Sequence, residues 1–221
     1  MDVKQLILPG ACFFCLKKTN YTWCNDCEQD FILQTNRCPI CARHTPHNVV
    51  CGACMKKPPD FMSTEVLFNY QYPANHLIKA FKFYNRPELA RCFAEKLAQK
   101  LGKKTPLAET IIAIPLHEKR QRERGYNQSL ELAAQINKHL GLTLNSSLCS
   151  RIKNTDPQST LPMKVRRKNV KGAFCLNQSP VPKHIAIVDD VITTGSTVNE
   201  LARLLKKGGC QRIDVWAIAR T

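Results

Sequence analysis

Ile185-Ala-Ile-Val-Asp189-Asp190-Val-Ile-Thr193-Thr194-Gly195-Ser196-Thr197 is the stretch from which the rest of the chain can be read. Ile185 to Val188 is a short apolar, β-branched run, the pattern of a strand buried on both faces. Asp189 and Asp190 fall where that strand should end. A hydroxyl-rich loop, Thr193 to Thr197, follows, and then an amphipathic run to Lys207. Such a loop offers backbone N–H groups and hydroxyls to one anion at the positive end of a helix dipole. Gly195 lets the backbone approach that anion closely. The chemistry expected is a phosphate in the loop and sugar hydroxyls on the two carboxylates. An ordinary capped turn would explain the loop alone, but not its union with the acidic pair and the buried strand.

Working outward, strands and helices alternate. Thr110–Leu116 reads as a second buried strand, Ile213–Ala219 as another, and Ser63–Tyr72, with Val66, Phe68, Tyr70 and Tyr72, as an edge strand. Helices are expected over Ala74–Tyr84, Pro87–Leu101, Ser129–Leu140 and Thr197–Lys207. The third should face inward with Leu130, Ala133, Ile136 and Leu140, and the fourth with Leu201, Leu204 and Leu205. Gly141 and Gly208-Gly209 stop these two. This alternation predicts an α/β fold, a mostly parallel sheet with helices on both faces. Ligands of such sheets lie beyond the carboxyl ends of the strands. Asp189 and Asp190 fall there, and so does the basic segment His117–Gln128. Its Arg120, Arg122 and Arg124 suit a pyrophosphate, because guanidinium forks hold phosphate oxygens two at a time. A solvated mobile loop is the plainer reading of the same residues.

The 221 residues carry a net charge of +16 and allow one α/β domain plus a small module. Residues 76–172 hold most of the excess, with 20 basic and 7 acidic side chains. A polyanion is the expected partner, either nucleic acid or a phosphate-rich small molecule; a merely solvated basic surface is the alternative. Candidate nucleic-acid contacts are Lys82, Arg122, Arg124, Arg151, Arg166, Arg167, Lys168 and Lys171. Pro157 and Pro162 argue against a long helix before Met163, and a polar connection there suits an active-site flap. Tyr126 and Phe174 could stack on bases but fit the core better. No apolar run approaches the roughly 20 residues of a membrane span, and Met1–Pro9 lacks a signal-peptide pattern. A cytoplasmic protein, not an integral membrane one, is expected.

Eight of the twelve cysteines form four Cys-x-x-Cys pairs: Cys12/Cys15, Cys24/Cys27, Cys38/Cys41 and Cys51/Cys54. In a reducing compartment that pattern means metal rather than disulfides. Two knuckles complete one tetrahedral Cys₄ zinc site, so two sites are expected. Sequential pairing and cross-braced pairing both fit; the gaps of 8, 10 and 9 residues favour sequential hairpins. Four thiolates leave no open position, so the zinc is structural. His44 and His47 read as solvated loop residues, and Cys92, Cys149, Cys175 and Cys210 as mostly buried thiols. Lys56-Lys-Pro-Pro-Asp60 is a linker, dividing the chain into a zinc module (1–60) and an α/β domain (61–221).

Val188–Thr197 resembles the phosphoribosyl-pyrophosphate (PRPP) motif of type I phosphoribosyltransferases. The resemblance implies that Asp189 and Asp190 bind ribose hydroxyls, that Thr193, Thr194, Gly195, Ser196 and Thr197 bind the 5-phosphate, and that Mg²⁺ accompanies PRPP. The likeness extends to the Cys-x-x-Cys pairs, Phe81-Lys82-Phe83, Ile114-Pro-Leu-His117, Arg124-Gly-Tyr-Asn-Gln128, Arg167-Lys-Asn169 and the Gly-Gly-Cys before the final strand. Together these are similar to the ComF family of bacterial competence proteins. That likeness implies a role in natural transformation, handling incoming single-stranded DNA in the cytoplasm beside other DNA-uptake or recombination proteins. The alternative it leaves open is a Mg²⁺-dependent phosphoribosyltransferase with an unknown acceptor. The zinc module stands where such enzymes build the hood over their base, and nothing in its sequence resembles a base pocket.

Overall fold

A computed structural model of the chain describes residues 10–20, 22–29, 36–83, 87–103, 107–154 and 169–221. The strands are β1 (Ser63–Asn69), β2 (Thr110–Ala113), β3 (Thr143–Leu144), β4 (Cys149–Arg151), β5 (Phe174–Leu176), β6 (His184–Ile192) and β7 (Arg212–Arg220). The helices are α1 (Asn25–Gln29), α2 (Gly52–Lys56), α3 (Ala74–Phe83), α4 (Pro87–Leu101), α5 (Glu118–Arg124), α6 (Gln128–Leu140) and α7 (Ser196–Lys207). Five strands form one sheet in the order β1-β7-β6-β2-β3, every pair parallel. The other two, β4 and β5, make a separate antiparallel pair.

The period of two along a strand divides the core. In β6, Ala186 and Val188 join one hydrophobic cluster while Ile185 and Ile187 join the other. In β7, Trp216 and Ile218 face the first, and Ile213, Val215 and Ala217 the second. Both faces are covered, which is why these strands read as unbroken apolar runs. The first layer holds Leu77, Phe81, Phe93, Leu97, Leu132 and Ile136 from α3, α4 and α6. The second holds Val198, Leu201 and Leu205 from α7, with Phe174 from β5. Each cysteine ribbon joins a different layer. Trp23 of the first sits against Phe68 and Phe93, ring centroids 6.4 and 6.0 Å away. Ala42 of the second packs in the other cluster with Phe61.

Several expectations shift in detail. The strand at Thr110 stops at Ala113, short of Leu116, because Pro115 has no N–H to continue the ladder. Conversely, β6 does not end at Val188. Its pairing with β2 stops there, but pairing with β7 continues to Ile192. The buried face of α6 is Leu132, Ala133 and Ile136; Leu130 and Leu140 are only half-buried, because Gln128 and Ser129 occupy the buried positions of its first turn. Leu204 is likewise half-buried. Residues 118–124 form a helix rather than a mobile loop: His117 Nδ1 accepts from Lys119 N at 3.2 Å, and Gly125 closes the other end at φ 78°. Among the remaining thiols, Cys149 and Cys210 are buried, but Cys92 and Cys175 are half-buried.

Candidate functional site

The segment Arg124-Gly-Tyr-Asn-Gln-Ser129 joins four elements at the carboxyl edge of the sheet. Asn127 caps α6, its Oδ1 accepting from Ser129 N at 3.0 Å and Leu130 N at 3.3 Å. Its Nδ2 donates to the Ile114 carbonyl at 3.0 Å, holding the end of β2. Tyr126 Oη donates to Phe81 O at 2.7 Å and Gln128 Nε2 to Lys82 O at 3.1 Å, pinning the last turn of α3. Lys82 Nζ thereby reaches Asp190 Oδ1 at 2.9 Å. The Ser129 hydroxyl donates to Asp189 Oδ1 at 3.3 Å, and the Asp190 N–H to the same oxygen at 2.9 Å. Burial and the charge of Asp190 push the Asp189 carboxyl up to about 7, against the opposing pull of Lys82, the Asp190 N–H and Ser129.

The loop after β6 turns on Gly195 at φ 79°, a conformation in which a side chain would be strained. Thr194 Oγ1 accepts from Ser196 N at 3.2 Å and lies 2.8 Å from Ser196 Oγ. Thr193, Gly195 and Thr197 line an open cleft of about 240 Å³ together with Asp189, Asp190, Lys82, Arg120, Arg124 and Arg151. Thr194 and Ser196 instead line a neighbouring cleft of about 280 Å³, between the loop, the linker and the second ribbon, where Lys171 also lies. A third hollow, about 620 Å³, shares Leu116, Asn127 and Arg151 with the first.

The sequence-predicted basic residues therefore separate. Arg120, Arg124, Arg151 and Lys82 meet at the acidic pair. Arg151 lies 5.6 Å over the Phe174 ring, and burial with the nearby Arg120 charge lowers its pKa. Arg122 points away, exposed and paired with Glu118 at 3.2 Å. Arg166, Arg167 and Lys168 lie outside the described residues. Asn127, Gln128 and Ser129 carry the geometry of the site, although in the sequence the first two stand out only as part of a family-like motif and the third only as a helix start, with no role in the site. An Asn directly before a helical run is a cap signal that finds the first of them.

The eight cysteines form two clusters, Cys12/Cys15/Cys24/Cys27 and Cys38/Cys41/Cys51/Cys54, so the pairing is sequential. Within each, all four sulfurs lie within 4.8 Å of one another. Cys15–Cys24 and Cys41–Cys51 are each 3.6 Å apart, close to the roughly 3.8 Å edge of a tetrahedron with zinc–sulfur bonds of about 2.3 Å. Backbone N–H groups of Cys24 and Cys51 donate to the sulfurs of Cys12 and Cys38, both at 3.3 Å. Burial opposes ionisation of Cys12 and Cys51, yet hydrogen bonds outweigh it, mainly from backbone N–H groups at Cys12 and from the Cys54 N–H with the neighbouring thiols at Cys51, and draw them down to about 6 and about 7. The donor set fits structural zinc. The carboxylates suit magnesium less directly: Asp190 is already paired with Lys82, so an ion here would be carried mainly on ligand oxygens and water.

An open parallel sheet with this acidic pair and hydroxyl loop at its carboxyl edge is a type I phosphoribosyltransferase-like fold, here joined to a zinc ribbon with two Cys₄ sites. Residues 88–220 match the phosphoribosyl transferase domain, and residues 3–55 the double zinc ribbon domain. The chain is 36% identical to Competence protein F of Haemophilus influenzae, over 96% of this chain and 90% of that protein. It is 33% identical to DNA utilization protein YhgH of Salmonella typhi, over 98% and 100%. Among solved structures it is similar to the glutamine PRPP amidotransferase of B. subtilis, with a TM-score of 0.43 and 15% identity over 63% of this chain and 30% of that one. The chain belongs to the family of ComF- and YhgH-type proteins with a phosphoribosyl transferase domain. No helix among the described residues is long and apolar enough to cross a membrane.

Proposed function

We propose that this is a competence-related, DNA-utilising protein. Its cleft takes a phosphoribosyl group, PRPP foremost, and its basic rim holds incoming single-stranded DNA in the cytoplasm. The observation that carries the reading is the convergence of Asp189, Asp190, Thr193, Gly195, Thr197, Arg120, Arg124 and Arg151 around one cleft. In it the loop hydroxyls and N–H groups hold a 5-phosphate, the carboxylates accept ribose hydroxyls, and the arginines bind pyrophosphate or the phosphates of a strand. Magnesium, when present, neutralises pyrophosphate charge. Residues 1–60 act as the zinc module and 61–221 as the ligand-binding domain. The name of the YhgH relative, a DNA utilization protein, together with the basic residues 76–172, supports DNA rather than a free nucleotide alone.

Titration of PRPP and of a labelled single-stranded oligonucleotide, separately and in competition, tests this. Strand binding should be sequence-tolerant and weaken steeply with salt. No affinity for the oligonucleotide even at low salt would remove the DNA half of the proposal. One observation favours transfer chemistry as a second reading: the 620 Å³ hollow adjoining Arg151 gives an acceptor room beside the cleft. Pyrophosphate release from PRPP with candidate acceptors decides it.

A further inference from the structure

We infer that the second cysteine cluster, acting through Arg220, sets the geometry of the phosphate loop, so that metal at Cys38, Cys41, Cys51 and Cys54 and ligand in the loop strengthen each other's binding. The inference rests on the reading of Thr193–Thr197 as a phosphate site. Arg220 is only 3% exposed. Its Nε donates to the Cys41 carbonyl at 3.0 Å and its Nη1 to the Ile192 carbonyl at 2.9 Å. Cys41 belongs to the metal knuckle, and Ile192 immediately precedes Thr193. One planar guanidinium therefore spans from the cluster to the root of the loop, and a rigid fork holds both carbonyls only while both keep their places.

Parallel ties reinforce the span. Thr64 Oγ1 donates to Ile40 O at 2.6 Å, beside the same knuckle. Asn199, in the first turn of α7, accepts from Asp60 N at 2.7 Å and donates to Asp60 Oδ2 at 3.1 Å. That exchange clamps the linker against the helix that carries the loop. Charge works in the same direction. Four thiolates around a divalent ion leave a net negative cluster, the counter-charge that a buried guanidinium needs. Without metal the knuckle has nothing to close it, and Arg220 loses both a positioned acceptor and that counter-charge.

The first cluster is tied elsewhere. The contacts of its ribbon run to the opposite layer, through Trp23 against Phe68 and Phe93 and through Glu28 to Lys96 at 2.7 Å. Two chemically similar clusters thus have different consequences: the first holds the fold, and the second holds the ligand loop. Arg220 is a positioning residue.

Linkage makes this measurable, because coupled binding is reciprocal. Zinc partition between the fully loaded protein and a chromophoric chelator is measured at equilibrium with and without PRPP. One of the two zinc equivalents should be held about tenfold more tightly with PRPP, and the other with unchanged affinity. Arg220→Met should abolish the protection, and Arg220→Lys should restore part of it. PRPP affinity should fall about tenfold in Cys41→Ser and change less than about threefold in Cys15→Ser. If PRPP binds but protects both zinc equivalents alike, or neither, the coupling is overturned while the phosphate site stands. If PRPP does not bind the zinc-loaded protein at all, the phosphate-site reading fails and the inference with it.

Discussion

If Asp189 accepts ligand hydroxyls as proposed, ligand binding should respond to pH where an ordinary aspartate does not titrate. Burial and the neighbouring Asp190 charge place its carboxyl at about 7. Sugar hydroxyls are donors, and an ionised carboxylate accepts from them more strongly than a protonated one. The ligand therefore selects the ionised form. With a midpoint at about 7, roughly a tenth of the protein is ionised at pH 6 and roughly nine-tenths at pH 8. Affinity for ribose 5-phosphate should rise about tenfold across that range, or ~1.4 kcal/mol. Calorimetry in buffers of different ionisation enthalpy should find about half a proton released per ligand at pH 7. The phosphate's own titration, with a pKa of about 6, enters every variant equally and is removed by comparison with Asp189→Asn, whose profile should otherwise be flat. Lys82→Met should move the midpoint upward, since the Lys82 charge holds Asp189 down. The same raised pKa makes folding weaker as pH climbs: the folded chain binds this proton more tightly than the unfolded one, so the penalty is absent below about pH 4 and full above about pH 7. Asp189→Asn should accordingly be more thermostable than the native protein at pH 8, with the gap closing toward pH 4. Parallel affinity profiles for the native protein and Asp189→Asn, or affinity that falls as pH rises, would refute the reasoning.

Other outcomes follow from particular contacts. Asn127→Ala strips the α6 cap and leaves the Ile114 carbonyl without its donor, a loss of about 2–3 kcal/mol in urea unfolding; Asn127→Asp should recover about 1 kcal/mol by keeping the cap. Gly208→Ala puts a Cβ 2.7 Å from both Leu176 Cδ1 and Val181 Cγ2, and calorimetry should show about 1–3 kcal/mol of destabilisation. Charge reversal at Arg124 should weaken single-stranded DNA binding and lower the salt slope by about one phosphate, whereas Arg122→Ala, outside the cleft, should do neither. Zinc analysis should find two ions per chain, and stripping them should erase the near-ultraviolet signal of Trp23.

Much of this was legible because the local chemistry and the fold agree. Pro87 and the apolar stripe through Leu101 mark α4 to the residue, and Gly141 ends α6 at φ 65°. The acidic pair, the hydroxyl loop and the four cysteine pairs announce their own chemistry. The helix α5 was not legible, because it has no buried residue and no apolar stripe; its caps, rather than burial, define it. The strands β4 and β5 were hidden for another reason: each has three residues, too few for a period, and their pairing joins Arg151 to Phe174 across more than twenty residues. Nor does periodicity assign neighbours. Only the folded chain shows that Arg122 leaves the cleft while Arg124, two residues on, stays in it.

The strand β7 follows every other strand in sequence yet fills the slot between β1 and β6, with Ser63 beside Asp214. During synthesis, β1 therefore has no partner until residues 212–220 leave the ribosome. Zinc can close the ribbons early, since their ligands are local. The nascent sheet, however, keeps a gap beside its edge strand β1, with unpaired strand edges that invite wrong pairing. Such non-local closure is slow. The carboxylate ledge on β6 also leans on β7 for its remaining ladder, so a nascent chain has no competent ligand cleft. On the proposed reading, ligand capture is therefore expected only from chains in which β7 has already entered the sheet.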